Sequence, residues 1–188
     1  MKKIFFIIIT ALSMIINAQT VSLELMAQCK ADPSVCPENF DYVKDVNHLL
    51  NKYVGTWKGS LDGKNYEFNF IKKENVEEQI SGIKWDVLIG RVRITNQNGT
   101  VEFDNFNLSD EDANMGYNFH DNLKIYLVGF SGNKIGCNDS GFLYLRKPNP
   151  ANKMKIDFYQ IPDIITQDCS NFKQLYRPTN RIINLTKQ

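Results

Sequence analysis

The chain has 188 residues, with 22 Lys plus Arg against 21 Asp plus Glu, so it carries almost no net charge. That balance excludes the strongly basic surface that nucleic acid or an anionic membrane would attract, and no Lys/Arg cluster with interleaved aromatics appears. With 43% hydrophobic and 12% aromatic residues, the length suits one domain with a sizeable core.

Met1-Lys2-Lys3, the apolar run Ile4–Ile16 and Asn17-Ala18-Gln19 have the arrangement of a secretory signal peptide over residues 1–18. The run is shorter than the ~20 residues a membrane-spanning helix needs, so no transmembrane segment is expected in the mature chain. Residues 19–39 read as an irregular leader bearing Cys29 and Cys36. Residues 40–53 predict a short helix. Val43, Val46, Leu49, Leu50 and Tyr53 recur at three- and four-residue steps, and Asn39 or Asp41 would cap it.

From Tyr53 the pattern turns to strands. Tyr53–Ser60 is the first, and Asp62-Gly63 signals a tight hairpin into Lys64–Lys72, where Tyr66, Phe68 and Phe70 share one face. Lys84–Thr95 is a long strand with Gly90 inside it, and Asn98-Gly99 turns it into Val101–Phe103. Asn122–Phe130, Gly141–Lys147 and Lys153–Gln160 follow, and Leu175–Arg177 with Arg181–Leu185 supplies the last strand. Strands mostly of eight or more residues, joined in hairpin fashion, predict an all-β, antiparallel, roughly eight-stranded up-and-down barrel, with residues 40–188 as its single domain.

Four cysteines in an exported chain predict two disulfides. Of the three connectivities, Cys29–Cys36 with Cys137–Cys169 is favoured. The first closes a short loop around Asp32-Pro33, and the second ties two late segments together. A zinc site lacks the usual paired-cysteine spacing, and His48 and His120 stand alone. Ser109–Asp121 reads as a solvated, acidic loop at the barrel mouth; in it Asp110, Asp112 and Asn114 have the spacing of a calcium loop, but Met115 stands where the sharp turn needs Gly. No Gly-x-Ser-x-Gly elbow or phosphate-binding Gly-rich loop is present. Glu67, Glu102 and Asp157 alternate with apolar neighbours, which puts them on the outer face. No catalytic residue, cofactor or metal is expected.

A helical turn, Gly55-Thr56-Trp57 on the first strand and an up-and-down barrel together resemble the lipocalin and calycin group. That resemblance implies that Trp57 closes one barrel end and that a late arginine, Arg177 or Arg181, packs over it as a cation–π contact. Gly55, Trp57 and these arginines are structural in that scheme. The Thr-Asp-Tyr motif of lipocalins is not present. The Lys-Lys signal ending in Asn-Ala-Gln, the Gly-Thr-Trp strand and the tail Ile183–Gln188 are also similar to an uncharacterised family of secreted bacterial proteins. That likeness implies a periplasmic or secreted protein.

Two functions follow from a barrel of this size, which either holds one small ligand or fills itself with side chains. The first is an exported binding protein for a small hydrophobic ligand, lined by Tyr66, Phe68, Phe70, Leu123, Ile125, Ile156 and Phe158. The second is a filled barrel acting on an envelope protein as an interaction or inhibitor module.

Overall fold

The computed structural model describes residues 19–132, 137, 139–162, 164–170 and 181–188. The expected signal segment 1–18, the strand at 175–177 and Arg177 lie outside the described residues. The elements are β1 (Gln19–Ser22), α1 (Leu23–Ala31), a 3-10 turn (Pro33–Val35), β2 (Phe40–Lys44), β3 (Gly55–Leu61), β4 (Lys64–Glu77), β5 (Lys84–Asn96), β6 (Val101–Asp104), β7 (Asn114–His120), β8 (Ile125–Ser131), β9 (Ser140–Arg146), β10 (Lys153–Gln160) and β11 (Ile182–Lys187).

Eight of these strands close an antiparallel barrel. Going round it, β7, β8, β9, β10, β11, β3, β4 and β5 are neighbours, and β5 pairs back onto β7. Around the barrel the chain therefore runs up and down, as its alternating strands and short turns predict. Asp62 and Gly63 both have positive φ (51° and 77°), the requirement of the two-residue turn that joins β3 to β4.

One edge of β5 is shared by three partners. Its start pairs with β2 in parallel (Val43↔Trp85), its middle with β7 (Gly90↔Asn114) and its end with β6 (Ile94↔Phe103). β1 adds to β2 in parallel. The N-terminal segment thus extends the barrel wall as strands.

The helix lies elsewhere than the periodicity of residues 40–53 implies. α1 spans residues 23–31, where a wholly irregular leader is expected. Ser22 caps it, its hydroxyl accepting from Leu25 N at 3.1 Å, with Glu24 in the first turn and Lys30 in the last. Its apolar residues, Leu23, Leu25, Met26 and Ala27, are nearly consecutive and leave no helical stripe to read.

Residues 40–53 instead form β2 and a series of tight turns. Bonds of the i→i+3 kind run from His48 N to Asp45 O, Asn51 N to His48 O and Tyr53 N to Leu50 O. Three-residue turns place apolar side chains at nearly the spacing of a helix, which explains the misleading stripe. Val46, on that stripe, is 52% exposed, whereas Val43, Leu50 and Tyr53 are fully buried. A buried polar latch fixes these turns. Asp45 accepts from Leu49 N (2.7 Å) and Leu50 N (3.1 Å) and pairs with Lys72 at 3.2 Å. Asp86 in turn accepts from Asp45 N (2.9 Å), Asn75 N (3.1 Å) and the Tyr42 hydroxyl (2.5 Å). Burial and the Asp86 carboxylate push the Tyr42 phenol well above its ordinary range, so it remains the donor. Both buried carboxylates are saturated with partners, which marks the pair as structural.

β7 was also hidden, because Ser109–Asp121 reads as one acidic loop. Its buried positions include Asn114 and Gly116, one polar and one without a side chain, so no apolar alternation announces a strand. β4 continues to Glu77, past the expected end at Lys72, through a bulge between Lys73 and Val76 where Asn75 has φ 60°. Both expected disulfides, Cys29–Cys36 and Cys137–Cys169, are formed.

Candidate functional site

The barrel has two ends of different character. At one end, Trp57 on β3 is fully buried, and its indole N–H donates to Tyr53 O at 2.7 Å. Tyr53 lies against Tyr126 and Phe119, with ring centroids 5.9 and 6.4 Å away. Cations do face Trp57, but they are lysines. Lys147 Nζ is 4.3 Å and Lys187 Nζ 5.6 Å from its ring centroid. Burial, then Lys187 and Lys52, push the Lys147 ammonium below its usual pKa. Arg181 does not reach this end. It pairs with Asp62 beside the β3–β4 turn, at the opposite end. Gly55, at φ 121°, lies under the Lys187 side chain, where a Cβ would stand 2.8 Å from Lys187 Cε.

In the middle layers the expected lining residues are mostly inside. Tyr66, Phe68 and Phe70 are buried and stacked along β4, with centroid spacings of 6.4 and 6.0 Å. Ile156 is buried, and half-buried Phe158 meets Phe130 edge-on at 5.5 Å. β8 differs in parity from the expectation. Tyr126, Val128 and Phe130 join the central cluster, Ile125 precedes them with the opposite parity, and Leu123 packs against that cluster from the preceding turn, where its φ is 66°. Both faces of β8 are apolar, so alternation alone does not decide which points inward. Pairing does so: Tyr126 opposes Leu145 and Val128 opposes Leu143, both in the core.

These aromatic rings occupy the space that facing glycines leave. A Cβ on Gly90 would stand 2.8 Å from the Phe70 ring, one on Gly116 2.5 Å from Tyr126, and one on Gly141 2.7 Å from Phe158. Around Phe70, Tyr126 and Phe158, the layers are therefore built from ring against glycine, not from an open pocket wall.

Room for a ligand lies nearer the other end. A groove of about 770 Å³, open to solvent, runs between β6, the loop into β7, and the far ends of β7, β8 and β9. Phe103, Phe130, Phe142, Met115, Tyr117 and Leu108 give it apolar walls, and Tyr117 meets Phe142 edge-on at 5.6 Å. Its volume is in the range of small-molecule sites.

Two asparagines give the groove polar character. Asn105 is 6% and Asn114 7% exposed. Asn114 Oδ1 accepts from Ser131 N at 3.3 Å, and its Nδ2 has no hydrogen-bond partner among the described residues. Such an orphaned buried donor costs about 1–3 kcal/mol, so it needs an explanation. Asp104, Glu111 and Asp112 also line the groove, and no Lys, Arg or His among the described residues does. Of the loop with calcium-like spacing, Asp110 is taken up by Arg91 (2.7 Å) and Lys73 (2.6 Å), and Asp112 by the Ser109 hydroxyl (2.7 Å). Among the described residues no set of three His, Cys, Asp or Glu side chains converges to hold a metal.

Sequence reasoning missed this groove because four of its lining residues, Asn114, Met115, Tyr117 and Gly129, carry no shared motif. Asn114 and Met115 stood in the supposed acidic loop. The available signal was Asn114 itself, a polar residue followed by Gly116 and Phe119 at barrel-facing positions.

The chain matches the model of a family of unknown function, DUF6705, over residues 1–184, and it belongs to that family. No curated protein and no solved structure matches it.

Proposed function

We propose that this family member is an exported, lipocalin-like binding protein that takes a small, largely apolar ligand in the groove beside β6 and β7. The observation that carries this reading is a groove of about 770 Å³ with aromatic and aliphatic walls, a polar rim and a buried Asn114 donor that has no partner among the described residues. The ring-and-glycine packing of Phe70, Tyr126 and Phe158 moves the ligand away from the central layers and toward this end. Export is supported by the signal-like segment 1–18 and by two disulfides, which persist in oxidising compartments. No helix among the described residues is long and apolar enough to cross a membrane.

Ser131→Trp would fill the groove from an exposed position without entering the core. Purified protein screened against a panel of hydrophobic small molecules should show thermal stabilisation by at least one of them, and S131W should lose it. A shift that survives in S131W, or no shift across the panel, would sink the reading.

A second reading keeps one observation of its own. Ile164 and Ile165, in the connection after β10, are 79% and 64% exposed, and Tyr159 on β10 is 60% exposed. A surface of this kind suits the alternative of a protein-interaction module acting on an envelope partner. Co-purification of a stoichiometric protein partner that releases on Ile164→Ser/Ile165→Ser substitution would favour it.

A further inference from the structure

We infer that the groove selects a neutral ligand bearing a carbonyl-type acceptor, held by the side-chain amides of Asn114 and Asn105, and rejects carboxylate-headed amphiphiles. The inference rests on the groove being the ligand site and adds the chemistry of its occupant.

The two carboxamides are oriented by the protein. Backbone donors claim both of their oxygens: Ser131 N donates to Asn114 Oδ1 at 3.3 Å and Val92 N to Asn105 Oδ1 at 2.6 Å. Because a backbone N–H can only donate, each oxygen is fixed toward it, and the NH₂ group is what remains. Asn114 Nδ2 is buried without a partner, and Asn105 Nδ2 makes no hydrogen bond among the described residues. Both side chains are more than nine-tenths buried and both line the groove. The site therefore offers donors and needs acceptors.

The surrounding charge decides which acceptor. A carboxylate would satisfy the donors, but among the described residues no Lys, Arg or His lines the groove, while Asp104, Glu111 and Asp112 do. Asp104 is paired with Arg93 at 2.7 Å, so an anion entering there would lose hydration and meet the charge of Glu111 and Asp112, with no lining cation among the described residues to offset either. A ketone or ester carbonyl accepts from Asn114 without that cost. The phenyl and thioether walls of Phe103, Phe130 and Met115 suit the apolar remainder of such a molecule.

Three probes sharing an octyl-type chain separate the possibilities: methyl octanoate, octanoate and octyltrimethylammonium. Titration calorimetry gives their affinities, and ¹⁵N NMR follows the side-chain amide signals of Asn105 and Asn114 in the intact protein. Methyl octanoate should bind about tenfold more tightly than octanoate and should move both side-chain amide signals. Asn114→Asp keeps an acceptor for Ser131 N but removes the donor, and it should weaken methyl octanoate binding about tenfold while leaving octanoate the poorer ligand. If N114D does not fold, the NMR signals of the natural protein still decide. Equal or tighter binding of octanoate or of the cation overturns the inference and leaves the groove as the ligand site. So do unmoved Asn105 and Asn114 signals while Tyr117 and Phe142 respond. If none of the three perturbs Tyr117 or Phe142, the groove reading fails and this inference with it.

Discussion

His120 ends β7 and accepts from the Lys30 ammonium at 2.8 Å, joining α1 to the barrel wall. Burial, then the Lys30 charge, hold its pKa below the ordinary histidine value of 6.5. The unfolded chain therefore takes up a proton on this ring more readily than the folded one. The stability contribution is fully present above the ordinary histidine range and is lost as pH falls through the lowered folded value. Protonated His120 has no lone pair for Lys30 and repels it, so α1 should loosen in mild acid. Urea midpoints measured between neutral and mildly acidic pH should fall more steeply for the natural protein than for His120→Gln, which keeps a polar side chain but does not titrate. Parallel profiles would remove His120 from the account. At the same scale, the amide of Asn114, unpartnered among the described residues, marks the groove as a place to bind something, whereas the saturated Asp45 and Asp86 mark only a latch.

The strands of the barrel are fitted to one another by pairing rings with glycines across neighbours. On β5, Gly90 faces Phe70 of β4, and their backbones are in register. Gly90→Ala would push a methyl to within 2.8 Å of Phe70, and overpacking of this kind costs about 1–3 kcal/mol. In a Phe70→Leu background the same substitution should cost clearly less, giving a favourable coupling of at least about 0.5 kcal/mol in chemical denaturation. Additive effects would show that the ring and the glycine are not packed as described. The same arrangement explains why three aromatic residues on one face of β4 do not by themselves make a pocket. Phe70 is absorbed where Gly90 carries no side chain, and Phe68 lies in register between the buried Trp57 and Val92 of the neighbouring strands.

At the scale of the whole molecule, closure of the barrel and two disulfides hold a chain with few helical residues. Cys29–Cys36 spans a separation of 7 residues and sits beside α1, whereas Cys137–Cys169 spans 32 and ties the start of β9 to the connection after β10. In the chain-entropy account the longer loop contributes about 3–4 kcal/mol and the shorter about 2–3 kcal/mol. Cys137→Ser/Cys169→Ser should therefore lower the urea midpoint more than Cys29→Ser/Cys36→Ser. The reverse order would show that α1 and its loop contribute more to the fold than chain closure does. The groove lies at the same end as Cys137, so loss of this bridge should also weaken ligand-induced stabilisation.

The strand-and-turn grammar was readable in the sequence alone. Asp62-Gly63, the alternating Tyr66-Phe68-Phe70 face and the even cysteine count are local or compositional signals, and they led to an all-β barrel with the disulfides as found. What tertiary structure alone decided has a common physical cause. Residues 40–53 have helical spacing, yet parallel pairing of β2 with β5 and the Asp45–Asp86 latch outweigh local propensity. β8 is apolar on both faces, so only its register against β9 sets which side points inward. The groove joins Asn105, Asn114, Ser131 and Phe142, far apart in sequence, through closure of β5 onto β7. Alternation and turn residues act over a few positions, and the sequence displays them directly. Which side of a strand is enclosed, and which distant residues share a surface, depends on how the edges meet.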